Sequence, residues 1–310
     1  RLTRKLLVVI VIGIIAVLFA YIAQLKRLRF CLKISFLIIF LFLALRYNYG
    51  NDYPNYFDIF FSLKEFGLAD IKNIWKAYVF SFVGADNLEL ELGLEYKLHI
   101  EPGWQVLCIL FRPLGFFAMI AALALFNCMV YFYFIRKYVP PAYYWFAVFL
   151  YVFTPQLMLL HLSGMRQSVA ISIFLLSINY IYKKDFLRYA LLISLATLFH
   201  TSAIILLPVY LIGVLNFKIN IPIAICMFAI FILLFFLQGP MSKVMGAFIS
   251  TYAVKYEVYE NPGSMGTGLQ IVLYAIILIL LLLYDRYQSK EMSLLFKIAT
   301  FSIYAIPLAL

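Results

Sequence analysis

The stretch LLVVIVIGIIAVLFAYIA, residues 6–23, contains no charged residue and is apolar on every face of a helix. Its length approaches the roughly 20 residues with which an α-helix crosses about 30 Å of hydrocarbon. A helix also satisfies its own backbone hydrogen bonds in lipid. The stretch therefore predicts a transmembrane helix, and we expect this helix to be retained because it is longer than the apolar region of a cleavable signal peptide.

The rest of the chain repeats this pattern. Of its 310 residues, 66% are hydrophobic and 13% are charged, whereas soluble domains are about half apolar and a quarter charged. We therefore expect an all-α, polytopic membrane protein in which residues 1–310 form a single transmembrane domain. The ten predicted spans are 6–23, 31–45, 115–135, 142–160, 166–182, 187–199, 202–215, 221–238, 269–284 and 293–310.

The net charge of +11 does not indicate nucleic acid, because the basic residues are spread over short loops between apolar runs. Basic loops mark the cytoplasmic side of a membrane protein. The loops that indicate this side contain Lys26, Arg27, Arg29, Lys33, Arg136, Lys137, Lys183, Lys184, Arg188 and Lys218. Only the basic start of the chain, Arg1, Arg4 and Lys5, argues for the opposite orientation.

Residues 46–103 form a long acidic segment between predicted spans. The segment contains nine acidic and five basic residues, a net charge of −4. We expect it to be an extracytoplasmic loop with short helices over the outer mouth of the bundle, one of them at 68–83. Residues 239–268 are predicted to form a second extracytoplasmic loop.

Two segments do not fit complete spans. Residues 187–215 are too few for two crossings, which predicts two short helices that meet at Phe199-His200-Thr201-Ser202. Residues 104–113 are also too short to cross, and Arg112-Pro113 interrupts them, so they predict a re-entrant or interfacial helix. Broken helices at membrane depth occur where they face protein or a wet cavity.

This topology brings a set of ionisable residues to the outer boundary of the membrane. Such residues cost about 2.5–3.5 kcal/mol each on insertion scales and are functional candidates for that reason. The set consists of Arg46, Asp52, Glu101, Arg112, His161, Arg166 and His200.

Arg166 and His200 carry the sharpest hypotheses. Arg166 falls in the first turn of a predicted helix, where a cation opposes the helix dipole unless an anion such as phosphate shares the site. The alternative is an arginine that extends to the interface. His200 lies at a helix break and is a candidate general base. Its alternative is a buried neutral histidine, and His161 is a rival for the same role.

Tyrosines surround the start of the acidic loop. Tyr47, Tyr49, Tyr53 and Tyr56 offer flat faces on which sugars stack, or they belong to the aromatic belt of the membrane interface. Glu101 is a candidate acceptor for sugar hydroxyls, a partner for an arginine, or only a first-turn acid. No Asp-x-Asp, P-loop, GxSxG or HExxH motif occurs, so we expect neither a metal nor a cofactor.

Four short motifs of the sequence together resemble the Wzy/EpsG-like polysaccharide polymerase family. They are Arg46-x-x-x-Gly50-x-Asp52-Tyr53-x-x-Tyr56, Glu101-Pro102-Gly103, Met165-Arg166-Gln167 and Phe199-His200-x-Ser202. Where the family often has Gly-Thr-Asp, this chain has Gly50-Asn51-Asp52, which leaves the acid in place.

The resemblance implies an enzyme with a GT-C-like glycosyltransferase architecture in the bacterial cytoplasmic (inner) membrane, with its active site facing the periplasm or exterior. Such an enzyme polymerises polyprenyl-pyrophosphate-linked oligosaccharide repeat units. Its partners would be those lipid-linked units, membrane lipids and a chain-length regulator. An O-antigen-ligase-like enzyme is the nearest alternative, followed by a membrane O-acyltransferase and a flippase.

On this interpretation each candidate residue has a role. Arg46, Arg166 and Arg112 bind pyrophosphate, and His200, with Arg166, is catalytic. The remaining candidates either bind the acceptor glycan or orient the arginines. They are Asp52, Tyr53, Tyr56, Glu101, His161 and Gln167.

Overall fold

The computed structural model describes residues 2–25, 28–50, 52–63, 67–72, 75, 100–214 and 229, and these residues contain helices and no strand. The α-helices are α1 (Leu2–Ile22), α2 (Cys31–Ala44), α3 (Tyr53–Ser62), α4 (Pro102–Phe111), α5 (Phe116–Tyr138), α6 (Tyr144–Phe153), α7 (Leu160–Ser163), α8 (Met165–Tyr182), α9 (Phe186–Thr197) and α10 (Val209–Val214). Leu68–Asp70, Pro141–Tyr143 and Thr201–Leu206 are 3₁₀-helical, and Pro155–Leu159 forms a π-helical turn.

The all-helical prediction is confirmed for these residues, whereas the number of ten spans stays a prediction. Within the described part of the chain, α5 is long and apolar enough to cross a membrane by itself. A second candidate is the pair Pro141–Phe153 and Leu157–Ser163, which is bent by 42°. Apart from residue 229, the predicted spans 221–238, 269–284 and 293–310 and the loop 239–268 lie outside the described residues.

The chain divides into two compact units. The first unit contains residues 1–75, 100–179 and 187–207, and the second contains 76–99, 180–186 and 208–310. In the second unit, the rings of Phe186 and Tyr210 lie 5.1 Å apart, edge to face. Every residue of the candidate site described below belongs to the first unit.

Helices α1, α2, α5 and α6 share one hydrophobic core in the first unit. The buried face of α1 contains Val9 and the small residues Gly13, Ala16 and Ala20, and Ala23 directly after the helix is buried as well. Small residues allow helices in lipid to approach closely. A Cβ atom at Gly13 would lie 2.6 Å from Val152 Cγ1 of α6.

The opposite faces of these helices are also apolar. Leu7, Ile14 and Leu18 on α1 and Leu37 and Leu41 on α2 are all exposed. A water-soluble protein covers such a surface with polar residues. The exposed apolar faces therefore fit the membrane environment that the composition predicts.

The helices predicted at 142–160 and 202–215 are both interrupted, and the physical cause of the two interruptions is the same. The span predicted at 142–160 breaks at Thr154, where α6 gives way to the π-helical turn. The helix predicted at 202–215 is a 3₁₀ turn followed by α10, which begins after Pro208. Proline lacks the backbone N–H that would continue a helix, and Pro155 and Pro208 stand at the two breaks.

The two segments predicted to be too short for complete spans, 187–215 and 104–113, contain short helices or breaks in the structure. Helix α9 ends at Thr197 and the 3₁₀ turn begins at Thr201, so the chain breaks at Leu198–His200. Helix α4 is ten residues long, too short to cross a bilayer. The acidic segment contains α3, and the predicted helix at 68–83 is described only at its start.

Replacing Gly13 with leucine should destabilise the protein, because the new side chain has no room against Val152. Overpacking of this kind costs about 1–3 kcal/mol. Thermal unfolding of the purified protein in detergent measures the loss. The matched control is Ile14→Leu on the exposed face of α1, which should unfold at the wild-type temperature, and equal stability of the two variants would contradict the close packing of α1 on α6.

Candidate functional site

Glu101 lies at the centre of the site. It precedes Pro102 at the start of α4 and has the extended backbone, φ −56° and ψ 137°, that a following proline imposes. The residue is only 5% exposed, yet its side chain does not cap α4. A buried carboxylate needs cations or hydrogen-bond donors, and Glu101 finds them elsewhere in the chain.

The two carboxylate oxygens of Glu101 meet two distant segments. Arg166 Nη1, from the first turn of α8, donates to Oε2 in an ion pair. Thr201 Oγ1 donates to Oε1 over 3.4 Å, and His200 Nδ1 lies 4.0 Å from the same oxygen. The carboxylate thereby joins α4, α8 and the break after α9.

The backbone reinforces this junction. The Gly103 N–H donates to the Leu198 carbonyl oxygen over 2.9 Å. A Cβ atom at residue 103 would lie 2.7 Å from that oxygen, so the contact requires glycine. The Glu101–Gly103 turn is therefore held against the segment that presents His200.

Arg166 also contacts an aromatic pair. Its Cζ lies 5.8 Å from the centroid of the Tyr56 ring. The Tyr56 ring lies 4.9 Å from the ring of Trp104, which is fully buried. A guanidinium is attracted to an aromatic face, so helix α3 helps to hold Arg166 in place.

Arg46 is the second buried cation of the site. It is 6% exposed, its Nε has no hydrogen-bond partner, and its nearest electrostatic neighbours include Tyr53 and Tyr56. Burial lowers the pKa of Arg46 to about 10, so the guanidinium stays charged at neutral pH. Among the described residues, no carboxylate forms an ion pair with Arg46.

A glycine fixes the loop that follows Arg46. Gly50 has φ +96°, a left-handed conformation that disfavours other residues. A Cβ atom there would lie 2.1 Å from the Leu162 carbonyl oxygen. This contact ties the loop between α2 and α3 to the end of α7, directly before the helix that carries Arg166.

Comparison with known proteins identifies the family. The sequence model of the EpsG family matches residues 29–310, almost the whole chain. The chain belongs to the EpsG family. This membership indicates a role in polysaccharide polymerisation and, together with the apolar helices, a membrane protein. Comparisons with curated proteins and with solved structures gave no match.

The structure brings together six of the residues that resemble EpsG motifs. Glu101, Arg166, His200 and Tyr56 are connected through the contacts described above, and the charge of Arg46 acts on Tyr53 and Tyr56. His161 lies within electrostatic range of Arg46. It is 3% exposed, its ring is flanked by Tyr131 and Tyr151, and its Nδ1 has no partner.

Three predicted site residues are not part of this cluster of contacts. Asp52 occupies the N-cap position of α3 but is exposed and makes no capping hydrogen bond. Gln167 is exposed on α8. Arg112 is exposed at the far end of α4, about 16 Å along the helix axis from Glu101 at about 1.5 Å per residue.

Three residues at the candidate site were not predicted as contributors. Thr201 binds Glu101, and Trp104 supports Tyr56. Asn127 of α5 hydrogen-bonds with Ser168 over 3.3 Å and with Ser172 over 2.7 Å, which fixes α8 against α5. Of these three residues, Asn127 could have been noticed in the sequence, because it is the single amide side chain within the apolar span 115–135.

Acidic residues in the described ranges do not assemble with histidine or cysteine into a group of three suited to a metal ion. The polar groups near Arg46 and Glu101 include the guanidinium groups of Arg46 and Arg166, the Glu101 carboxylate, the imidazoles of His200 and His161, and several hydroxyls. Guanidinium groups match the geometry of phosphate oxygens. The arrangement can hold an anion beside a proton acceptor.

Replacing Glu101 with glutamine should destabilise the protein, because Arg166 then keeps a partly buried charge without its counterion. Combining this change with Arg166→Met should cost less than the sum of the two single changes, by a coupling of about 1–2 kcal/mol. The value is modest because the Arg166 side chain is 27% exposed. The free energies of unfolding in detergent of the wild type, the two single variants and the double variant together give this coupling.

The control for this cycle is Asp58→Asn, which removes an exposed carboxylate from α3. This variant should have wild-type stability. Strict additivity of the Glu101 and Arg166 changes would show that the ion pair contributes nothing to the fold.

Proposed function

We propose that this chain polymerises polyprenyl-pyrophosphate-linked oligosaccharide repeat units into a surface polysaccharide, by metal-independent glycosyl transfer on the outer face of the bacterial cytoplasmic membrane. The observation that carries the proposal is the meeting of Arg166, Glu101 and His200 beside the buried Arg46. Membership of the EpsG family supports the reaction class.

The reaction transfers a growing glycan from its lipid carrier to a second repeat unit. A hydroxyl oxygen of the acceptor sugar forms a bond to the anomeric carbon of the donor, and the bond from that carbon to the pyrophosphate oxygen breaks. The hydroxyl proton passes to a base, and polyprenyl pyrophosphate leaves as an anion. The protein must therefore position two substrates and stabilise the charge that develops on pyrophosphate.

Arg46 is the stronger candidate for the pyrophosphate. Arg166 already has Glu101 as a counterion, whereas Arg46 is buried and charged and forms no ion pair with a carboxylate of the described residues. A buried cation without a counterion is unfavourable until an anion arrives. Binding of pyrophosphate would remove this penalty. Arg166 then adds its remaining N–H donors from the first turn of α8.

His200 is proposed as the general base. Its side chain is one-third exposed, which leaves it open to an acceptor, and Glu101 Oε1 lies 4.0 Å from Nδ1. A carboxylate at that distance favours the imidazolium that forms when Nε2 accepts a proton. His161 is the weaker candidate for this role because it is buried, and we assign it to orienting Arg46.

The acceptor glycan would approach from the exposed side of the cluster. Asp52 and Gln167 are exposed and available to sugar hydroxyls. Tyr53 and Tyr56 are buried, so we assign these two tyrosines to orienting the arginines. Arg112 is left without a role at the pyrophosphate because it lies at the opposite end of α4 from Glu101.

Removing either the base or the buried cation should abolish chain growth. We expect His200→Ala to lower kcat by about 10²–10⁴-fold. Arg46→Gln should lower kcat/KM for the lipid-linked donor by about 10²–10³-fold. The measurement is the length of glycan produced by the purified enzyme from lipid-linked repeat units, with a chelator present.

The control for this assay is Arg29→Gln, which removes an exposed arginine before α2 and should leave chain growth unchanged. Long chains made by His200→Ala, Arg46→Gln or Arg166→Ala would overturn the corresponding assignment. Because only lipid-linked repeats are supplied, an O-antigen-ligase-like enzyme would make no product until a different acceptor is added.

The orientation gives a separate prediction. In a variant whose native cysteines are replaced by alanine, Tyr47→Cys should react with a membrane-impermeant maleimide in intact cells, because this position is 71% exposed and predicted to face outward. Lys183→Cys, in an exposed turn predicted to face the cytoplasm, should react only after the cells are permeabilised. The reverse labelling pattern would place the site on the cytoplasmic side.

A further inference from the structure

We infer that a groove between α2 and α5 binds an anionic glycerophospholipid of the cytoplasmic leaflet. The groove is separate from the proposed active site and does not depend on the proposed function. It encloses about 210 Å³ and is lined by Lys33, Phe36 and Phe40 of α2 and by Leu125, Met129 and Phe132 of α5. Apart from Lys33, these lining side chains are apolar.

The dimensions of the groove suit a single hydrocarbon chain. Its volume lies below the roughly 300–1,000 Å³ of pockets that hold compact drug-sized ligands. From Lys33 to Phe40 it follows α2 for about 10 Å at about 1.5 Å per residue. One leaflet of hydrocarbon is about 15 Å thick, so a chain of that leaflet can lie along most of the groove.

Positive charge marks one end of the groove. Lys33 lies in the first turn of α2 and is exposed. Arg136, also exposed, places its Cζ 6.0 Å from the ring centroid of Phe132, a residue of the groove wall. The apolar channel therefore ends beside two cations, and this arrangement matches a phosphodiester headgroup attached to an acyl chain.

The charged end is also predicted to lie on the cytoplasmic side of the membrane. Lys33 and Arg136 belong to the basic loops that predict the cytoplasmic face. Basic pockets between transmembrane helices on that face bind anionic lipid headgroups. The floor of the groove is preformed, because the rings of Phe36 and Phe132 pack edge to face at 5.5 Å.

Native mass spectrometry of the full chain, released from nanodiscs of phosphatidylglycerol and phosphatidylcholine, tests the inference. We expect one retained phosphatidylglycerol per chain and no comparable retention of phosphatidylcholine. Lys33→Gln and Arg136→Gln should each weaken retention by roughly fivefold, and together by about thirtyfold, since each cation near the surface contributes about equally. Lys183→Gln, which removes an exposed cation that does not line the groove, should retain the lipid.

A second variant tests the channel independently of charge. Leu125→Trp should fill the groove and displace the acyl chain while both cations remain, and a monodisperse elution profile shows that the variant is folded. Equal retention of the two lipids by the wild-type chain would overturn the inference. Undiminished phosphatidylglycerol retention in the double charge variant or in Leu125→Trp would overturn it as well.

Discussion

The buried carboxylate of Glu101 is the constraint on which the site depends. A carboxylate without partners is strongly unfavourable in a low-dielectric interior, so the structure must bring donors to it from other segments. Arg166 arrives on α8, and Thr201 and His200 arrive at the break after α9. Helix α4 begins at Pro102, directly after this carboxylate, and the missing side chain of Gly103 lets the same turn contact Leu198.

Much of the helical architecture could be predicted from hydropathy, and the failures were local. The apolar runs at 31–45, 115–135 and 166–182 became α2, α5 and α8 with small changes at their ends. The run at 142–160 did not stay continuous, because an average over apolar residues hides the single missing N–H of Pro155. Hydropathy also gave no indication of α3, whose alternation of tyrosines and phenylalanines with polar residues lies inside an acidic segment.

The sequence predicted which residues lie in this cluster better than it predicted how they pair with one another. Placing ionisable residues at one boundary grouped Arg46, Glu101, Arg166 and His200, and the structure brings each of them to one cluster of side chains. The sequence could not predict which arginine pairs with Glu101. The pairing with Arg166 instead of Arg46 is decided by how the helices pack. Arg112 illustrates the limit, because the length of α4 carries it away from a residue that is close in sequence.

The sequence separation of the contacts at Glu101 sets the order in which the site is built during synthesis. Arg166 lies 65 residues and Thr201 100 residues downstream of Glu101. Chains emerge from the ribosome at about 5–20 residues per second, so several seconds pass between the delivery of the carboxylate and the arrival of its last donor. Until Arg166 emerges, the nascent protein holds an acid without this counterion, and the candidate site is among the last parts of the first unit to form.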